Sequence, residues 1–400
     1  MEERRLRTPS RPGRTRFALA ALAALGALAV GGCAAPPTSA PAPSESPVPT
    51  ATARAEPVDP IAAEVEERLA EMDLRSRASS VLMLHQPGTD PAALAEFMTT
   101  TGAGGFILMG DNVPSDSWSV AAVSAAISAS DELPPLIGID EEGGIVARLD
   151  DDTFPAAVTL AGAPPEETRA AFAERAALVR QAGADVNFGI VADMTADPDS
   201  FIFERTYGGD AVSAGDRVEQ AVLGEEGLVL STLKHFPGHG RSEADSHVSI
   251  PTTDVGYDEW RTTDAVPFER GIDAGAEVVM TGHLAYPSID PAPATFSAAW
   301  HRILRDELGF EGLVVTDDML MLLASGVPEY ADPVANAVAA LAAGNDLLLH
   351  VLAADPDVSG VEPAQLVDGI VAAVESGALP AERLDDAARH VLTARILARD

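Results

Sequence analysis

The stretch "LVLSTLKHF", Leu228–Phe236, is an apolar run that ends in a lysine and a histidine. Its apolar residues are contiguous and do not alternate with polar ones. That pattern belongs to a strand covered on both faces, as in a parallel sheet wrapped by helices. Seven further runs share it: "VLMLHQ" (Val81–Gln86), "GGFILMG" (Gly104–Gly110), "LIGID" (Leu136–Asp140), "DVNFGIVADM" (Asp185–Met194), "EVVMTGHL" (Glu277–Leu284), "LVVTDDM" (Leu313–Met319) and "DLLLHV" (Asp346–Val351). Ala/Glu/Arg-rich helical patterns lie between them, beginning with "IAAEVEERLAEM" from Ile61. Strands alternating with helices imply βαβ units. Eight of them over some 340 residues predict a single (β/α)8 barrel of the TIM type, spanning 60–400 and without a second domain.

What precedes the barrel reads differently. Arg4, Arg5, Arg7, Arg11, Arg14 and Arg16 form a basic leader, followed by the sixteen-residue apolar run "FALAALAALGALAVGG" and then Cys33. This is the pattern of an export signal, 1–32, and it is short for a membrane span of about 20 residues. "AVGGC" resembles a bacterial lipobox, so Cys33 is expected to carry lipid and to become the mature N-terminus. Residues 33–59 are rich in Pro, Ala, Ser and Thr, as expected of an extended tether. Cys33 is the sole cysteine, which rules out an intrachain disulfide and cysteine metal sites. Removing 1–32 takes away six arginines and two glutamates and moves the formal charge from –36 to –40. A chain so acidic is not built for nucleic acid or for anionic lipid, and its expected contact with the membrane is the lipid anchor alone.

Polar residues collect where the apolar runs end: Asp140, Asp193, Lys234, His235, His283 and Asp317. In a (β/α)8 barrel those ends form the catalytic face. The loop after Leu228–Phe236 is the densest part, "KHFPGHGRSEADSH", Lys234–His247. Lys234 is the only lysine in the chain, the other 25 basic residues being arginine. A compact ammonium retained there implies a task that a guanidinium fork cannot perform. His235, His239, His247 and Asp245 could in principle ligate a metal, but a Gly/Pro loop spaces them and the Lys234 ammonium would repel a dication; no metal or cofactor is expected. "FPGHG" lacks the spacing of a phosphate loop. An acid–base reading fits better. Asp245 lies two residues before His247, near enough to hold one ring nitrogen and leave the other for proton transfer, and the loop glycines would let the pair move over a substrate. Asp317, at the end of its run, is placed to act as a nucleophile or to stabilise charge, with Asp318 pointing elsewhere.

"KHFPGHG", four residues, then "DSH", together with "IDEEGG" and "TDDM", resemble the family 3 glycoside hydrolases, and within them the β-N-acetylhexosaminidase branch. "GGFILMGDN", "VNFGIVADM", "ERTYGG", "MTGHLAYPSID" and "AGNDLLL" fall in the order of that family. The resemblance implies Asp317 as nucleophile, His247 as general acid and then base, and Asp245 as the residue orienting it. It implies that Asp140, Arg148, Arg205, Lys234 and His235 bind an N-acetylglucosamine ring. Glu141 stands where the family usually has glutamine, Ile145 where arginine is frequent, and Tyr207 where phenylalanine is usual; none of these is the nucleophile or the dyad. The implied reaction is retaining hydrolysis of terminal β-linked N-acetylglucosamine. With an exported lipoprotein, the expected substrates are cell-wall muropeptides or N-acetylglucosamine oligosaccharides, and the expected state is a monomer. The alternatives are a phosphorylase of the same family, a β-glucosidase-type relative and a non-catalytic sugar-binding lipoprotein.

Overall fold

The computed structural model describes residues 59–399 apart from Ser115, Asp116, Ser130, Asp131 and Glu243. The expected leader, the lipidated Cys33 and the tether up to residue 58 lie outside the described residues.

All eight expected strands form: β1 Leu82–Leu84, β2 Gly105–Leu108, β3 Leu136–Ile139, β4 Val186–Val191, β5 Leu230–Phe236, β6 Val278–Thr281, β7 Leu313–Thr316 and β8 Leu348–His350. They are parallel and hydrogen-bonded in the order β8-β1-β2-β3-β4-β5-β6-β7. The seam between β7 and β8 is closed by the Val315–Leu347 bridge, with Thr316 N–H donating to Leu347 O at 3.0 Å and Leu347 N–H to Val314 O at 3.1 Å. The sheet is therefore a closed eight-stranded barrel with its helices outside.

Most strands are shorter than the apolar runs that announced them, because the polar ends of those runs leave the ladder and turn into the barrel mouth. Strand residues alternate between inside and outside. Met83, Ile107, Leu136, Phe188, Met280, Val315 and Leu349 pack together within the barrel, while Leu82, Leu84, Phe106 and Leu108 pack outward under the helices. Both faces are apolar, which is why the runs were continuous. Phe188 fills the centre, and a Cβ on Gly138 would lie 2.5 Å from its ring, so glycine is needed there. Removing the Phe188 ring would cost about 3–5 kcal/mol.

Helix boundaries follow local chemistry. In the β1–β2 crossover, Pro91–Thr101, Asp90 caps the Ala92 N–H at 3.0 Å, Pro91 opens the helix, and Gly102 ends it at φ +62°. The C-terminal helix Ala381–Arg399 sends Val391 and Ala394 into the inner cluster and plugs the N-terminal end of the barrel. With the floor closed, the opposite end is the open one. Among the described residues no helix is long and apolar enough to cross a membrane.

Candidate active site

At the C-terminal ends of the strands a cavity of about 260 Å³ opens, lined by Asp140, Glu142, Arg148, Arg205, Lys234, His235, His239, His247, Asp317 and Asp318 among others. Every residue that the sequence assigned to sugar binding or catalysis lines it except Asp245, which stands behind His247, and Cys33 lies outside the described residues. Ile107, Met109, Met280 and Leu349 supply its apolar floor.

One wall is a buried charge cluster. Lys234, at the end of β5, places Nζ 2.8 Å from Asp140 Oδ1 and 2.7 Å from Glu142 Oε1. Arg148 donates to Asp140 Oδ2 at 3.2 Å. Arg205 grips Glu142 with two bonds of 2.8 Å, the planar fork meeting a carboxylate. Burial alone would raise the Asp140 pKa, but the charges of Lys234 and Arg148 outweigh it and hold the group at about 2. Burial opposes the charge on Lys234 as well; Asp140 and Glu142 overcome it and raise the ammonium's pKa. Three cations and two anions thus share this wall, all ionised, with lone pairs and N–H groups left over for hydroxyls. The fit also explains the single lysine. Nζ makes a point contact with two carboxylates at once, while the guanidinium positions are taken by Arg148 and Arg205.

A second group is anchored on Asp193, just beyond β4. Its carboxylate lies 2.6 Å from His235 Nδ1 and accepts the backbone N–H groups of His235 at 3.2 Å and His239 at 2.6 Å. With Nδ1 held, His235 turns Nε2 toward the cavity, 3.4 Å from Arg205. Neighbouring strand residues ordinarily face opposite sides, yet Lys234 and His235 both line the cavity. His239 is buried edge-on to Phe201, ring centroids 4.9 Å apart, and no partner reaches either ring nitrogen among the described residues. Burial lowers its pKa and keeps it neutral.

The third group holds Asp317 and His247. Asp317 follows β7 directly, and its Oδ1 accepts the Asp318 N–H at 2.8 Å. Burial acts to raise its pKa; His235, His283 and that N–H prevail and lower it, so the carboxylate is ionised. Asp318 turns away, accepting the N–H groups of Leu320 at 3.1 Å and Val351 at 2.9 Å, and burial pushes its pKa up to about 7. His283 is wholly buried between Thr295 and the Asp318 carbonyl, which braces the loop after β7 from behind. His247 lies on the β5 loop with Nδ1 2.6 Å from Asp245 Oδ1, which also accepts the His247 N–H at 2.9 Å. Its side chain is 61% exposed, the most solvent-accessible member of the site.

Sequence reasoning missed Glu142, weighed His239 only as a metal ligand and gave Asp193 no role. Three consecutive acids in "IDEEGG" hid which of them faces inward. That is decided by the reversal at Gly143 and Gly144, both at positive φ. A buried histidine without a partner leaves no sequence signal.

A family model described as the glycosyl hydrolase family 3 N terminal domain matches residues 64–394. The beta-hexosaminidase of Stenotrophomonas maltophilia is 34% identical over 333 residues, 78% of this chain and 96% of that protein. That of Methylobacillus flagellatus is 35% identical over 257 residues, 62% of this chain and 72% of the relative. Among solved structures, the family 3 β-N-acetylglucosaminidase of Paenibacillus sp. str. FPU-7 superposes with a TM-score of 0.74 at 31% identity, covering 82% of this chain and 63% of that one. The β-N-acetylhexosaminidase of Beutenbergia cavernae gives 0.72 at 30% identity, covering 82% and 99%. A closed parallel barrel with a carboxylate-and-histidine site at its mouth, matched along nearly all of its described length, therefore places this chain in glycoside hydrolase family 3.

Proposed function

We propose that the protein is a retaining exo-β-N-acetylglucosaminidase. The observation that carries the reading is the presence of an ionised Asp317 and an Asp245-held His247 in one blind cavity whose wall is a cluster of charged hydrogen-bonding groups. The names of the family 3 relatives support the choice of N-acetylglucosamine.

In the first step Asp317 attacks the anomeric carbon, and the glycosidic oxygen leaves with a proton from His247. The C–O bond to the aglycone breaks as the C–O bond to Asp317 forms. In the second step His247 takes a proton from water, whose oxygen displaces the carboxylate and restores the anomeric configuration. Asp245 holds Nδ1 and stabilises the imidazolium that precedes the first step and re-forms in the second. Asp140, Glu142, Arg148, Arg205, Lys234 and His235 take the sugar hydroxyls. A closed floor suits removal of one terminal residue at a time.

The leader and Cys33 support an exported, lipid-anchored enzyme at the extracytoplasmic face, acting on muropeptides or N-acetylglucosamine oligosaccharides. Metabolic labelling with a fatty acid that disappears in Cys33→Ala tests the anchor. Release of p-nitrophenol from its β-N-acetylglucosaminide by residues 60–400, beside Asp317→Ala and with and without phosphate, tests the reaction. Turnover lost in the variant and indifferent to phosphate supports hydrolysis. A phosphate-dependent rate would indicate a phosphorylase, and no turnover from folded wild type would leave only sugar binding.

A further inference from the structure

Directly behind the sugar-binding wall lies a second cluster, which the proposed reaction does not use. Glu141, between Asp140 and Glu142, is wholly buried. Its Oε2 accepts the backbone N–H groups of Arg148 at 2.9 Å and Leu149 at 3.0 Å. Its backbone N–H donates to Asn187 Oδ1 at 3.1 Å, and Asn187 Nδ2 donates to its carbonyl at 3.1 Å. Glu141 thus ties the two ends of the turn that carries Glu142 on one side and Arg148 on the other to β4. The turn itself closes with the Glu142 N–H on Val146 O at 3.0 Å.

The remaining oxygen, Oε1, has no donor among the described residues, and the Glu141 side chain meets the Asp152 carboxyl within hydrogen-bonding reach. Asp152 is fully buried and is held by Arg175, Nε to Oδ2 at 2.6 Å. The Arg175 guanidinium is seated under Gly143, where a Cβ would lie 2.1 Å from its Nη2. From the other side Asn187 donates to Glu225, a buried carboxyl that burial keeps protonated. Arg148 points away to Asp140. Two facing buried carboxyls, Glu141 and Asp152, therefore have one guanidinium between them. Two like charges in contact in a dry interior cannot both stay ionised, and the pair retains a proton. Arg175 binds Asp152, so the proton resides on Glu141 and points at Asp152. Burial pushes the Glu141 pKa up to about 8.

We propose that Glu141 is a positioning residue for sugar binding that holds the Glu142–Arg148 turn in place only while it shares an acidic proton with Asp152. Loss of that proton sets two anions against one another beneath the turn, and Arg148 and Glu142 leave their places on the cavity wall. Sugar affinity, and not only proton transfer by His247, then falls on the alkaline side. This rests on the N-acetylglucosamine reading for its ligand.

The test measures the affinity of N-acetylglucosamine itself by calorimetry at pH 6.5 and 9.5, in a His247→Ala background that removes the acid–base group. It compares that background with the same protein carrying Glu141→Gln or Asp152→Asn, either of which leaves a single acid against Arg175. The background is expected to lose more than about tenfold in affinity over this range, as a single ionisation near 8 requires, and both added variants to lose much less. An equal loss in all three proteins would overturn the proposal. Melting temperatures of the same samples need no ligand. The advantage of the glutamine variant over its background should widen from pH 5 to pH 9. A constant gap would overturn the proposal even if no sugar bound, which would count separately against the N-acetylglucosamine reading.

Discussion

Nδ1 of His235 stands 2.6 Å from Oδ2 of Asp193, a contact between the ends of β4 and β5 that fixes which face of the imidazole meets the cavity. The same carboxylate takes the backbone N–H of His239 at 2.6 Å, so one acid orients the His235 ring and anchors the His239 backbone. Asp193→Asn should keep the fold and lose the charge-assisted bonds, worth about 1.5–3 kcal/mol. The expected result is a fall of roughly 10–100-fold in kcat/KM, carried mainly by KM, because His235 acts on binding. Steady-state kinetics against a chromogenic N-acetylglucosaminide measure it.

Lys234→Arg keeps the charge and changes its shape. A guanidinium cannot place one atom within bonding distance of both Asp140 and Glu142 where Arg148 and Arg205 already crowd them. The variant should bind the sugar at least about tenfold more weakly, the loss of one or two bonds to charged groups. Affinity equal to that of the wild type would remove the explanation for the single lysine.

His247→Ala should lower kcat/KM, which reports the first step, by about 10²–10⁴ on substrates whose leaving group needs a proton. It should lower kcat/KM for the p-nitrophenyl substrate much less, because that leaving group departs unprotonated. Asp245→Asn should show the same ordering with smaller losses. Comparing a p-nitrophenyl and an alkyl N-acetylglucosaminide distinguishes the outcomes; equal losses on both would deny His247 the acid role.

Asp346, just before β8, accepts hydrogen bonds from Arg305 and Arg383, each at 2.7 Å. Burial would raise its pKa, but His390 and the two arginines hold it at about 2. A carboxyl held below its unfolded value of about 3.9 adds stability above that pH and loses it as pH falls toward 2, here on the order of 2–3 kcal/mol. Asp346→Asn should therefore melt lower than wild type at pH 7, with the gap narrowed to roughly a third by pH 2.5. Thermal melts at both values give the comparison.

The barrel was legible because each strand is buried on two faces, so runs such as Leu313–Thr316 and Leu230–Phe236 could not be read as half-exposed. Catalytic candidates stood out for a related reason: a charged residue ending an apolar run, as Asp317 does, has to face the open mouth. Glu142 was hidden because the alternation of facing directions breaks at a turn, and Gly143 and Gly144 reverse the chain just after it. His239 was hidden because its environment comes from Phe201 and Asp193, distant in sequence. The Glu141–Asp152–Arg175 cluster is likewise a product of three separate elements, visible only once β3, its following loop and the helix Pro165–Gln181 are packed together.

The most direct test of the account is to trap the covalent intermediate. The full folded domain is incubated with a fluorinated N-acetylglucosaminyl donor whose second step is slow. The intact mass and the labelled peptide are then read by mass spectrometry. The account predicts one added sugar, on the peptide containing Asp317, and none in Asp317→Ala. A sugar attached to any other residue, or turnover with inversion at the anomeric carbon, would contradict it.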